Sequence, residues 1–181
     1  SIYGLGYRSF AQRFKWNLLK AHPNCPPDKV QSLAKMLMDE YYSKVTFAKP
    51  TCMKIQEVAQ ARGYVKTISG RRQRLTPDGK LYKLVNYLIQ GSAGDLFKKA
   101  MVDSWNAGVW DVLIPHVMVH DEVVFSIPQT REGYEACELL AKCMREAYPL
   151  SIPIGVDTEI GPDWGHCNMD NWNEFKSRFV A

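Results

Sequence analysis

The sequence predicts an α+β fold, mostly helical with a small antiparallel sheet, on three observations. Apolar residues recur at helical spacing in five segments. Two short β-branched runs bracket one polar triplet, as in a hairpin. Further strand-like stretches lie between helices rather than side by side, which favours α+β over an all-β arrangement. Over 181 residues, 46% are apolar and 12% aromatic, enough for a core and too many for a disordered chain. The length corresponds to about one domain. No apolar run approaches the roughly 20 residues of a membrane helix, so no bilayer-spanning role is expected.

In chain order, Gly6 to Lys20 reads as a helix with Tyr7, Phe10, Phe14 and Leu18 on one face. His22-Pro23-Asn24-Cys25-Pro26-Pro27 breaks it, because consecutive prolines cannot continue a helix. Asp28 opens a second helix with Val30, Leu33, Ala34, Leu37 and Tyr41 inward. Lys49-Pro50 is read as a second interruption. Thr51 to Arg62 is then a third helix, with Met53, Val58 and Ala61 inward and Gly63 as its C-cap. Tyr64 to Ile68 alternates like a strand, followed by Ser69-Gly70 and the cluster Arg71-Arg72-Gln73-Arg74. Thr76-Pro77-Asp78-Gly79 has the chemistry of a turn.

Leu81 to about Ala107 is the longest helical candidate. Pro115 to Pro128 reads as a β-hairpin with His120-Asp121-Glu122 at or near its tip. Arg131 to Tyr148 forms an amphipathic helix with Ala136, Leu139, Leu140, Cys143 and Ala147 inward, and Ile152 to Ile160 a strand closing on Gly161-Pro162-Asp163-Trp164.

Charge is distributed unevenly. Residues 1–48 carry seven Lys/Arg against three Asp/Glu, residues 49–101 eleven against three, and residues 102–181 five against thirteen. A basic middle followed by an acidic tail suggests a polyanion contacted by one stretch only. The five cysteines, an odd number without a C-x-x-C pair, read as reduced thiols of a cytosolic protein. His22 with Cys25, or His166 with Cys167, offers zinc-type donors, but neither has a second spaced pair.

Two constellations carry possible chemistry. A carboxylate pair between apolar strands costs several kcal/mol unless it is exposed or compensated. His120-Asp121-Glu122 is therefore either an exposed hairpin turn or a site for a divalent cation. Hard oxygen donors on a rigid turn suit Mg²⁺. The second constellation is Gly70-Arg71-Arg72-Gln73-Arg74 with Asn86 and Gln90. The two amides lie four residues apart on the long helix and so share a face. Beside an arginine cluster they could read phosphates and minor-groove acceptors, or else form a solvated stripe. Gly91 and Gly94 inside that helix cost about 1 kcal/mol each relative to alanine. They are easier to understand where another backbone or a nucleic-acid strand approaches closely.

Taken in order, Tyr3-Gly4, Gly63-Tyr64-Val65 with Gly70-Arg71-Arg72, Gln90-Gly91-Ser92-Ala93-Gly94-Asp95, Val119-His120-Asp121-Glu122 and Gly161-Pro162-Asp163-Trp164 resemble the family A DNA polymerases. The likeness is to the C-terminal third of bacterial DNA polymerase I and its phage relatives, over roughly residues 2 to 165. It implies a fragment of the right-hand polymerase fold. Residues 1–80 would hold the end of the fingers helix and the following fingers helices and hairpin; residues 81–181 would hold part of the palm.

The same resemblance implies roles for single residues. Asp121 is similar to the palm aspartate that helps to hold two catalytic Mg²⁺ ions, and Glu122 to its supporting neighbour. His120 resembles the residue at the primer terminus. Asn86 and Gln90 match contacts to template and primer, and Arg71 and Arg72 a basic stretch along the primer–template backbone. Tyr3, with Gly4, resembles the tyrosine that stacks at the insertion site. The implied partners are primer–template DNA and deoxynucleoside triphosphates, in a bacterial or phage-infected cytoplasm.

The departures from the family pattern matter too. The Arg and Lys that grip the triphosphate, and the motif with the second metal aspartate, would precede Tyr3. Tyr82 stands where the family often has Arg, with Lys83 beside it, and Gly6 where a polar residue is common. One aspartate cannot clamp two cations, so the chain is expected to need an N-terminal polymerase portion. A separate gene product, a proteolytic cut or splicing around an intein ending before Ser1 would each give that arrangement. The alternative is a non-catalytic duplex-DNA-binding module derived from a polymerase.

Overall fold

The computed structural model describes residues 7–21, 23–24, 26–76 and 79–180. Tyr3, Gly4 and Gly6, the His22 and Cys25 pair and the centre of the 76–79 turn lie outside them. Where one domain is expected from length, the chain forms two compact units, 1–91 and 92–181. The division falls inside the long helix.

The first unit begins with α1 (Tyr7–Ala21) and α2 (Pro27–Lys44), which pack against each other. Phe10 and Phe14 stack at 5.8 Å on the expected face of α1. Pro27 opens α2 at a position where a missing N–H costs nothing. Its buried stripe is Val30, Ala34 and Met38, a clean i, i+4, i+8 row. Leu37, expected inward, is exposed, because Met38 takes that side of the helix.

Helix α3 (Ala48–Arg62) starts before the expected Thr51. Pro50 sits in its first turn, where no intrahelical donor is required, so it opens the helix instead of interrupting it. This earlier start goes with a different inward face. Ala59 is fully buried and Ile55 packs beside it, whereas Met53 and Ala61 are exposed. Gly63 ends α3 as expected, at φ 74°, with its N–H donated to Ala59 O at 2.8 Å.

Strand β1 (Tyr64–Lys66) is shorter than the alternation suggested and pairs antiparallel with β2 (Arg72–Arg74). Val65 and Ala59 meet Leu84, near the start of α4 (Leu81–Asn106), in the core of this unit.

In the second unit, a 3₁₀ turn (Val109–Asp111) leads to β3 (Ile114–Val119) and β4 (Glu122–Ser126), the expected hairpin. Helix α5 (Arg131–Glu146) follows, capped by Thr130, whose Oγ1 accepts from Gly133 N–H at 3.2 Å. Its buried row is Ala136, Cys137, Leu140 and Ala141, with Cys137 inward in place of the exposed Leu139. The strand expected over 152–160 is absent among the described residues. Only Ile160 pairs, in an isolated antiparallel bridge with Asn168. Alternating side chains mark a strand only where a neighbouring strand accepts the backbone, and here none is offered. The closing helix α6 (Met169–Ser177) was not foreseen. It sends Trp172 and Phe175 into the core with Val109, Leu113 and Leu140. Tyr134, Trp172, Phe175 and Phe179 form one aromatic cluster, with centroids 5.2–5.9 Å apart.

Candidate functional site

The β3–β4 hairpin is joined by a two-residue turn, His120-Asp121, between the facing pair Val119 and Glu122. His120 occupies the left-handed region at φ 56°. Histidine tolerates that region better than a β-branched residue does. Val123 and Phe125 turn toward the core, so Glu122 and Val124 belong to the opposite face. The register shifts at His116, whose Nε2 lies 2.7 Å from Ser126 Oγ. Asp121 therefore stands exposed at the apex, and among the described residues no hydrogen bond or ion pair engages it.

That exposure removes the desolvation cost a buried carboxylate would carry, and it leaves both oxygens available to a hard cation. The donor chemistry fits Mg²⁺ at one anchoring group. Among the described residues no group of three or more His, Cys, Asp and Glu side chains converges. Every residue of β3 is exposed, including Ile114, Val117, Met118 and Val119.

Glu122 is held from elsewhere in its unit. Trp164 Nε1 donates to Glu122 Oε1 at 3.2 Å. Trp164 opens the 3₁₀ turn Trp164–His166, capped by Asp163, whose Oδ1 accepts from Gly165 N–H at 2.9 Å and lies 2.7 Å from His166 Nδ1. Cys167 donates to Asp163 O at 3.4 Å. The zinc-type pair His166 and Cys167 is thus engaged with Asp163. Burial, with Glu159, Asp163 and Glu122 nearby, pushes the Cys167 thiol up.

The basic constellation belongs to the first unit. Gly70, at φ 85°, makes the β1–β2 turn, and its N–H is donated to Thr67 O at 2.9 Å. Thr67 is buried, and its N–H and Oγ1 both reach Arg71 O, at 2.9 and 3.3 Å. Arg71 Nη2 donates to Gly91 O at 3.2 Å. A side chain at Gly91 would meet Thr67 Cγ2 at 3.0 Å and Arg71 Nη2 at 3.1 Å. The close approach that this glycine permits is therefore made by the hairpin turn. Gly94 has open space where a Cβ would be.

Arg72 lies over the Tyr64 ring at 4.9 Å and stays exposed. Asn86 is half-buried, and its Oδ1 has no hydrogen-bond partner among the described residues; Gln90, four residues on, is exposed. Sequence reasoning passed over a neighbouring cleft of about 170 Å³, lined by Gln73, Arg74, Thr76, Lys80, Lys83 and Tyr87. Its three cations make no ion pair among the described residues. The density of Lys and Arg around the 76–79 turn was the available signal.

The structure thus brings Arg71 onto Gly91 and Trp164 onto Glu122, and it leaves Asp121, Arg72 and Gln90 exposed on their own units. Tyr3 and Gly4 lie outside the described residues.

A small α+β assembly with an acid-tipped hairpin in one unit and a basic hairpin in the other is the class that fold and site define. The family model for DNA polymerase family A matches residues 1–166, and the chain belongs to that family. It is similar to a DNA-directed DNA polymerase of Pseudomonas phage M6, at 40% identity over 72% of this chain and 19% of the phage protein. It is also similar to the thermostable DNA polymerase I of Thermus aquaticus, at 35% identity over 72% of this chain and 17% of that protein. Among solved structures it resembles the POL domain of Pol1 from M. smegmatis in complex with DNA primer-template and dNTP. That likeness has a TM-score of 0.68 and 25% identity, over 85% of this chain and 27% of the other. The chain thus spans about a fifth of the phage and Thermus relatives, and α6 lies beyond the stretch the family model matches.

Proposed function

We propose that this chain is the C-terminal part of a DNA-directed DNA polymerase. It would contribute the end of the fingers (1–80) and part of the palm (81–181) to template-directed nucleotidyl transfer. In that reaction the primer 3′-oxygen bonds to the α-phosphorus of a deoxynucleoside triphosphate, and the bond to pyrophosphate breaks. Family membership supports the reading, as do the polymerase names of the relatives and the DNA and dNTP in the M. smegmatis complex. The observation that carries it is Asp121, an exposed carboxylate at a hairpin apex with no partner among the described residues.

Asp121 would be one of two aspartates that hold Mg²⁺, with Glu122 beside it. Bound divalent ions supply activation of the primer hydroxyl and stabilisation of the leaving group. His120, fixed by the turn, would meet the primer end. Asn86 and Gln90 would read acceptors common to all base pairs, while Arg71 and Arg72 neutralise backbone phosphates. Tyr3 and Gly4 would border the insertion site.

The second aspartate and the triphosphate-binding residues would come from an N-terminal polymerase portion. The uncovered β3 supports such a partner: an edge strand with apolar side chains exposed along its length is a surface suited to a cover. Work on DNA in a cytoplasm is the setting this chemistry implies, and among the described residues no helix is long and apolar enough to cross a membrane.

The test supplies an N-terminal family A portion in trans or as a fusion and measures Mg²⁺-dependent nucleotide incorporation on a primed template. Restored incorporation that Asp121→Ala abolishes, with duplex binding kept, is the expected result. An active Asp121→Ala enzyme would remove the hairpin from the metal site. Duplex binding without incorporation would leave a binding module.

A further inference from the structure

We infer that Trp164 is a positioning residue for Glu122, fixing the orientation of the carboxylate that flanks the hairpin apex. The inference rests on the reading of that hairpin as catalytic. Trp164 is 57% exposed, so packing does not account for a large apolar side chain at this place. Its polar atom is engaged, however: the indole N–H reaches Glu122 Oε1 at 3.2 Å, across 42 residues of sequence.

The segment that presents the indole is braced at each step. A Cβ on Gly161 would fall 2.3 Å from His166 O, so the loop folds back on itself at a place only glycine fits. Asp163 caps the turn and bonds His166. Ile160 and Asn168 exchange backbone hydrogen bonds of 3.3 and 3.2 Å, and Asn171 Nδ2 donates to Ile160 O at 3.2 Å. Asn168 then caps α6 through Asn171 N–H at 2.8 Å, and α6 is anchored in the core by Trp172 and Phe175. The indole is thereby tied to the core through short, fixed links.

The donor type is informative as well. Lys or Arg at this place would orient Glu122 but also cancel its charge. A neutral indole N–H orients the carboxylate and leaves the negative charge for a site that must handle cations. An unrestrained exposed Glu side chain samples many rotamers, and holding it removes that freedom before the reaction begins.

The experiment is a double-mutant cycle in the polymerase assembled with its N-terminal portion, reading kcat and KM for nucleotide incorporation together with Tm. Trp164→Phe keeps the ring and deletes the donor. It should lower kcat about tenfold, as losing a hydrogen bond to a charged group does, with KM and Tm nearly unchanged. In a Glu122→Ala background Trp164→Phe should have no further effect. In a Glu122→Gln background, where an acceptor oxygen remains, the effect should persist.

Additive effects of Trp164→Phe and Glu122→Ala, or a Trp164→Phe enzyme with wild-type kcat, would overturn the positioning role while leaving the hairpin reading intact. A fully active Glu122→Ala enzyme would overturn it too. Full activity in Asp121→Ala would overturn the hairpin reading itself.

Discussion

In the β1–β2 hairpin the exposed turn is braced: Thr67 is enclosed at its base, Arg71 is anchored through Gly91 O, and with Arg72, laid over Tyr64, it forms an exposed cationic surface. In the β3–β4 hairpin the exposed turn is anchored only through its strands: Val123 and Phe125 hold it from below, and Asp121 stands clear at the apex. The contrast shows what each charge is suited to do. Several cations spread over a braced ribbon suit a delocalised polyanion, for which no single contact decides the outcome. A lone unencumbered carboxylate suits one localised cation.

The largest expected effect is on the acidic hairpin. Asp121→Asn preserves shape and removes charge, and should lower kcat for incorporation by about a thousandfold or more with little change in duplex affinity. Comparable losses in kcat from Arg72→Ala would erase the contrast.

Next come two glycines, one for each hairpin. A Cβ at Gly133 would sit 2.1 Å from Pro128 O and 3.0 Å from Ile127 Cγ1, just beyond β4. Gly133→Ala should destabilise the second unit by about 3 kcal/mol, read from denaturant unfolding. Gly70 has open space but φ 85°, so Gly70→Ala should cost the first unit only about 1 kcal/mol. A reversed order would mean that the acidic hairpin does not depend on α5 lying close beneath it.

Smaller still, Arg72→Ala should weaken duplex binding severalfold for every sequence and reduce the salt slope by about one. An unchanged slope in a titration against NaCl would take Arg72 off the phosphate backbone.

At neutral pH the smallest effect concerns Cys137. Burial, reinforced by Glu138, pushes its thiol from 9.0 up to about 12. The unfolded chain ionises this thiol first, so stability from the neutral buried form is full below pH 9 and falls as pH rises toward 12. Iodoacetamide at pH 8 should label the partly exposed Cys52 well before Cys137, as peptide mapping would show.

Much of this was legible in the sequence. The 3.6-residue spacing located α1, α2, α4 and α5, and two β-branched runs around His120-Asp121-Glu122 located the hairpin. Errors arose where tertiary context outweighs local pattern. Pro50 reads as a breaker until it is known to lie in a first turn. Leu37 and Leu139 are as apolar as the residues that replaced them inward, so periodicity could not choose between them. Residues 152–160 carry a strand's alternation, but pairing is a property of a neighbour. Helix α6 has two buried aromatics among polar residues, too sparse a pattern to stand out. The candidate site residues were singled out by their types and order. The link from Trp164 to Glu122 joins residues too distant in sequence for spacing to suggest.

Strand β3 also bears on how this chain behaves in concentrated solution. Its six residues, Ile-Pro-His-Val-Met-Val, carry no fixed charge to repel a neighbour, and Pro115 removes only one backbone donor. A border of that kind is open to pairing with a second copy, so self-association should rise with protein concentration, as light scattering would show.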